Sequence, residues 1–242
     1  MIDLHYVPTP NGQKVSILLE EAGIEHRLIR YDMLAGDHLA PEFRRISPNG
    51  RLPAIVDHAP VDGGAPLTMM ESGAILIYLA DKHGQFIPPV SAPRARGEVI
   101  EWLMWQMAGL GPMHGQAHHF YRYAPEDIDY ALARYGKEAR RLLTVLDTRL
   151  AEAPWVGGAE YSIADMACWP WVRAISVIDI ALSDYPALAS WFAKVGEREG
   201  VKAGTAIQNP SLLRGQKITL TPEQWSNLFG DAMHTASGLR AG

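Results

Sequence analysis

A chain of 242 residues, 48% apolar and 20% charged, is long for one hydrophobic core and comfortable for two domains of roughly 80 and roughly 120 residues. Its formal net charge of −5, with no Lys/Arg-rich stretch, argues against a nucleic-acid partner, because phosphate binding needs a basic face. No apolar run is long enough for a bilayer, the first residues carry no signal-peptide pattern, and the single cysteine, Cys168, rules out an intrachain disulfide. A cytoplasmic protein without membrane contact is the expectation.

Residues 2–6 read as a short buried strand, broken by Pro8-Thr9-Pro10-Asn11-Gly12. An amphipathic helix follows, with Val15, Leu18, Leu19 and Ala22 on one face, Lys14 and Glu21 elsewhere, and Gly23 as its stop. His26 to Tyr31 is a second strand, which completes a β-α-β unit. After a loop with Gly36 and a helical turn near Pro41 to Ile46, Leu52 to Val56 and Leu67 to Met70 read as two strands joined through Gly63-Gly64. Ser72 to His83 is a helix with Ile75, Leu76, Leu79 and Ala80 buried and Gly84 as its stop. The order β-α-β then β-β-α is thioredoxin-like, and the first domain is expected to span residues 1–84.

Residues 85–93, rich in proline, form a stiff linker. The second domain, 94–204, reads as all helix. Ala95 to Leu110 is apolar nearly all round and is expected to be buried, with Gly109, Gly111 and Pro112 kinking or breaking it. Ile128, Leu132, Tyr135, Ala139, Leu142, Leu146 and Leu150 make a long one-sided seam. Ser162 and Asp165 form a capping pattern before a helix starting at Ile163, which Pro170 should bend. Tyr185 to Val195 is one more helix. The extension 205–242 reads as an extended tail, with one helical turn capped by Thr221 and a mobile small-residue end.

Three segments could carry chemistry. Thr9-Pro10-Asn11-Gly12 lies between a strand and a helix, so unpaired helix N–H groups face the loop and favour an anion, including a thiolate. Redox proteins of this architecture carry Cys-x-x-Cys there; this chain has no cysteine in the loop and must borrow a thiol. Arg51-Leu52-Pro53-Ala54 places an X-Pro bond at a strand entry, where a cis form exposes the Leu52 backbone to an extended peptide. Glu71-Ser72 heads a helix, so Ser72 and local N–H groups can hold a carboxylate while Glu71 pairs with an ammonium group. Taken singly, each has a plain structural reading: a capped turn, a strand-entry proline, a helix cap. Jointly, in this chain order, they describe one extended tripeptide thiol.

The segments PTPNGQKV (8–15), PEFRRISPNGRLPAIVD (41–57), ESGAILIYLA (71–80), WQMAGLGPMHGQAHHF (105–120) and SIADMACWPW (162–171) resemble the glutathione transferase superfamily over roughly residues 2–200, and most closely its nu class of bacterial glutathione-dependent disulfide-bond oxidoreductases. That resemblance implies an α/β thioredoxin-like N-terminal domain followed by an all-α helical bundle, glutathione as cosubstrate and a homodimer. It implies that Thr9 and Asn11 orient the glutathione sulfur, Leu52 and Pro53 pair with its backbone, Glu71 and Ser72 hold its γ-glutamyl end, and Arg134 reaches it from the helical domain. The class often has Gln where this chain has His38, the position facing the glycyl end. The activities left open are disulfide reduction through bound glutathione, conjugation of glutathione to an electrophile, and a non-catalytic binding role. Tyr6 and Cys168 are expected in the core. His114 and His118, four apart, lack a third ligand for a metal and are expected to line the interdomain cleft. Trp102, Trp105, Trp169 and Trp171 read as core, with a share in the second-substrate wall.

Overall fold

The computed structural model describes residues 1–207 and 217–236. A four-stranded sheet is ordered β2-β1-β3-β4, with β1 (Ile2–Tyr6), β2 (His26–Arg30), β3 (Ala54–Asp57) and β4 (Leu67–Met70). Strand β1 runs parallel to β2 and antiparallel to β3, and β3 runs antiparallel to β4. All five residues of β1 are buried because it is a central strand covered on both faces. Ile2, Leu4 and Tyr6 join the main core. On the opposite face Asp3 pairs with Arg27 and His58, and the His5 ring bonds the Tyr31 hydroxyl at 2.7 Å.

Helix α1 (Pro10–Glu21) is buried continuously from Gly12 to Leu19, polar residues included. The one-faced amphipathic helix expected from the sequence is therefore corrected. The cause is its position: the sheet lies on one side, and α7 (Ile163–Arg173) and α9 (Glu199–Gly204) pack on the other. Ser16 donates its hydroxyl to the Gly204 carbonyl at 2.6 Å. A Cβ at Gly204 would sit 2.7 Å from the Ile17 backbone, so only glycine lets the two helices lie this close. Helices α2 (Pro41–Ile46) and α3 (Ser72–His83) complete the sheet's cover.

The helical part begins with α4 (Pro93–Trp105) and differs from expectation in two ways. Only Val99 and Leu103 of α4 are buried, and Met104 is exposed. Rather than breaking at Gly109–Pro112, the helix widens into a π turn, Gln106–Leu110, and continues as α5 (Gly111–His118) and a second π turn, His119–Tyr123. Each π turn takes one extra residue per turn. Helix α6 (Asp129–Glu152) buries Ala139, Leu142 and Leu146 of the expected seam, but leaves Ile128 exposed ahead of its first turn. Helix α8 spans Pro186–Gly196. No helix among the described residues is long and apolar enough to cross a membrane.

The extension is more ordered than the extended tail expected. Thr221 caps α10 (Pro222–Phe229) in a capping box with Gln224, and α11 (Asp231–Ala236) follows. Asn227 donates to the Leu34 carbonyl at 2.8 Å, which ties this pair of helices to the loop after β2. The mobile end expected for the last residues, 237–242, lies outside the described residues.

Ser162 caps α7 as the sequence pattern predicts, within a buried box completed by Asp165. Asp165 also accepts from the Val156 N–H and the Trp191 indole, so the cap orders three segments together. Ser162→Ala should lower unfolding free energy by about 1–2 kcal/mol. Urea denaturation should show a lower midpoint with an unchanged slope.

Candidate functional site

A cleft of about 790 Å³ opens between the end of the sheet and the helical part. Thr9, Asn11, Leu52, Pro53, Glu71 and Ser72, from three separate segments, all line it. The topology brings them together because β1, β3 and β4 are neighbours in the sheet, so the chain segments at their ends converge on one edge.

At the thiol loop, Thr9 caps α1, its hydroxyl oxygen accepting from the Gly12 N–H at 3.4 Å. That bond uses a lone pair and leaves the hydroxyl proton available to the cleft. Gly12 is required: a Cβ there would lie 2.2 Å from the Val7 carbonyl oxygen. Asn11 accepts from the Trp171 indole N–H at 3.2 Å through Oδ1. An indole can only donate, so the oxygen of the amide must face it, and the two N–H bonds of Nδ2 are left for the cleft. The first turn of α1 therefore offers hydroxyl, amide and helix N-terminus to one anion.

The Leu52–Pro53 peptide is cis, with Leu52 half-buried at the cleft wall. Ser72 is buried, and Glu71 just before it is exposed with φ 70°. A side chain in that left-handed region costs about 1–3 kcal/mol, and here it turns a carboxylate to the cleft beside the first turn of α3.

Sequence reasoning missed a second set of cleft residues. Lys14, placed on the polar side of α1 by its periodicity, is 1% exposed. Its Nζ donates to Gln106 Oε1 at 2.6 Å and to Ser72 Oγ at 3.3 Å, and lies 3.3 Å from Met107 Sδ. Burial pulls its pKa down to about 7. The spacing could have located it: Lys14 is three residues after Asn11 and four after Pro10, on the same helical face. Trp171, expected as core with a share in the second-substrate wall, lines the cleft, but its bond to Asn11 has no local signal. Phe229, Met233 and His234 of the extension close the far side of the cleft, and no local pattern signals that.

Two residues of the expected ligand set lie outside the cleft lining. His38 is 1% exposed, beneath the loop after β2, and does not line the cleft. Arg134 is exposed, 3.8 Å from Glu138, and also lies outside it. The histidine expectation is corrected as well. His114 is fully buried with Nδ1 bonded to the Leu110 carbonyl at 2.9 Å. His118 lines a separate cavity of about 240 Å³, whereas His119 faces the main cleft. The π turn before α5 explains this, since one inserted residue rotates every later side chain by about 100°. Cys168 is fully buried on α7, and burial pushes its thiol pKa well up. Tyr6 is likewise in the core. Trp169 is buried against Phe192, and Trp102 and Trp105 pack edge to face outside the cleft. No cluster of metal-binding side chains occurs among the described residues.

Burial holds His114 and His118 neutral, with pKa values down to about 4 and about 3. In the unfolded chain the same rings take up protons near pH 6.5. The unfolded state thus binds more protons below that pH, and stability should fall as pH drops from about 6.5 toward 4. Melting temperatures across this window should show the decline, with a shallower slope in His118→Gln.

Two family models match the chain: the glutathione S-transferase N-terminal domain over residues 9–82 and the glutathione S-transferase C-terminal domain over residues 129–194. The chain is 52% identical over 198 residues to the disulfide-bond oxidoreductase YfcG of Escherichia coli, covering 82% of this chain and 91% of that protein. Among solved structures, it is similar to a glutathione transferase family member from Pseudomonas fluorescens with two glutathione bound. That likeness has a TM-score of 0.79 and 42% identity, and covers 86% of this chain and 93% of the other. A glutathione transferase from Pseudomonas putida with one glutathione disulfide bound per subunit matches at TM-score 0.79 and 39% identity, over 86% and 92%. Sheet order, converging segments and both family models agree: the chain belongs to the glutathione S-transferase family.

Proposed function

We propose that this protein is a glutathione-dependent disulfide-bond reductase in which bound glutathione is the only working thiol. One observation carries the reading. The first turn of α1 presents Thr9 and Asn11 as donors to a thiolate, while the protein's single thiol, Cys168, is sealed in the core. The name of the relative YfcG and the glutathione disulfide in the P. putida structure support the same chemistry.

In the proposed cycle glutathione lies extended in the cleft. Its γ-glutamyl end rests at Glu71 and Ser72, its backbone at Leu52 and Pro53, and its sulfur at Thr9 and Asn11. A free thiol has a pKa near 8.5, and a helix N-terminus with two donors lowers it by about one unit or more. The thiolate attacks a disulfide, forming a mixed disulfide and expelling one thiolate, which takes up a proton. A second glutathione thiolate attacks the glutathione sulfur, forming glutathione disulfide and releasing the other thiolate. The substrate disulfide gains two electrons and two protons, and two glutathione molecules supply both. The proposed ligand set also includes His38 toward the glycyl end and Arg134 from the helical domain.

Purified protein should reduce 2-hydroxyethyl disulfide with glutathione, and Asn11→Ala should lose most of that turnover. Trp171→Phe keeps the ring but frees the Asn11 amide to rotate. It should lose up to about tenfold, the worth of one hydrogen bond. Cys168→Ala should retain turnover; its loss in a folded variant would overturn the scheme. Glutathione binding without turnover of this disulfide, but with turnover of an aryl halide, would instead favour conjugation.

A cytoplasmic homodimer is part of the proposal. Met104, Ile128 and Tyr130 form exposed apolar positions at α4 and the start of α6, surface that a second copy would cover. Light scattering should give twice the chain mass, and Tyr130→Glu should reduce it.

A further inference from the structure

The floor of the cleft holds a buried amine that the proposed cycle does not use. Lys14 Nζ has three contacts, to Gln106 Oε1, Ser72 Oγ and Met107 Sδ, and every one of them is electrically neutral. Among the described residues no carboxylate lies within ion-pair distance of it. A buried cation without a counter-charge is costly, yet this one lines an open cleft. It also touches the hydroxyl expected to meet the ligand's carboxylate.

We propose that Lys14 is a positioning residue whose positive charge is completed by the anionic γ-glutamyl carboxylate of glutathione, so that ligand binding and proton uptake by Lys14 are one event. This rests on the glutathione reading above. The Ser72 oxygen, accepting from Lys14, keeps its own proton to donate; in the ligand-free cleft it turns to Met107 Sδ at 3.6 Å, a weak acceptor. A carboxylate at Ser72 would therefore meet a hydroxyl donor, with the ammonium directly behind it. Gln106, itself fully buried, holds the amine in place from the helical domain.

The two equilibria are reciprocal. An anion at Ser72 stabilises the charged amine, and the charged amine strengthens the anion's binding. Because burial pulls the Lys14 pKa down to about 7, the coupling acts near neutral pH. The charged group acting on it is the Glu71 carboxylate ahead of α3; the Cys168 thiol on α7 is also near, but burial keeps it protonated and neutral. His119 and His234 also line the cleft. For that reason the signal that matters is a difference between variants.

The test is calorimetry with S-methylglutathione, which keeps both carboxylates and has no ionisable thiol. Titrations in phosphate and in Tris, whose ionisation enthalpies differ, give the protons taken up on binding. Wild type should take up roughly half a proton more than Lys14→Met at pH 7, and more still at pH 8. Lys14→Met should bind at least about tenfold more weakly at pH 6.5, while Lys14→Arg, permanently charged, should bind without the extra uptake. If Lys14→Met fails to fold, the difference between wild type and Lys14→Arg decides the matter. Equal uptake in wild type and the folded variants overturns the inference, as does tight binding with no uptake in wild type from pH 6 to 9. No binding at all overturns both this inference and the glutathione reading. Binding with Lys14-dependent uptake, but no disulfide turnover, supports the inference and removes the reductase reading alone.

Discussion

The first turn of α1 is the constraint on which the rest of this molecule depends. A helix begins with N–H groups that have no partner within it, and α1 begins at the edge of the cleft rather than in bulk water. Thr9 satisfies the Gly12 N–H with its hydroxyl and the Gln13 N–H with its carbonyl, Pro10 removes another, and the Asn11 N–H is left at the edge of the cleft. This end of the helix is the feature on which the proposed thiolate site rests. Holding it there requires a close turn that only glycine at position 12 allows, and a helix clamped on every side along its length.

That clamp is mostly apolar. Ile17, Leu18 and Leu19 are completely buried, and each contributes about 1.5–3 kcal/mol from burial. The polar links across the same boundary are fewer and individually weaker. Ser16 to Gly204 and Trp171 to Asn11 are each worth about 1 kcal/mol. Arg198 and Glu21 form a partly exposed bidentate pair. Apolar contact therefore holds the two parts together, and the directional bonds decide how they are aligned. The Asn11 amide is the clearest product of that alignment, because its orientation is set by a tryptophan 160 positions later in the chain.

The π turns have a similar logic. By adding a residue at Gln106–Leu110 and again at His119–Tyr123, the helix redirects the side chains that follow. Gln106 is left facing Lys14, His119 facing the cleft, His114 buried, and His118 at the separate smaller cavity. The wider turn costs regular hydrogen bonding, and it is here that the helical part meets the thiol site.

Much of this was legible locally. The strand-loop-helix punctuation at 8–12, the strand entry at 52–53 and the helix start at 71–72 depend on proline, glycine and capping chemistry within a few residues, so the chain alone determined those elements, and the six residues read from them line one cleft. The Ser162 capping box and the Thr221 cap were readable for the same reason. What only the tertiary structure decided depends on distant partners. Lys14 reads as a surface residue by periodicity until α3 and the π turn close over it. Arg134 fits a family pattern and His38 stands where the class often has Gln, yet an exposed helix face and burial leave neither in the cleft lining. The tail helices become a wall because Asn227 reaches Leu34 and because Trp225 and Phe229 pack on His119 and Tyr123. Local sequence sets backbone preference over one or two turns, whereas the burial of a charge and the direction of an amide are fixed by groups that meet only once the chain has folded.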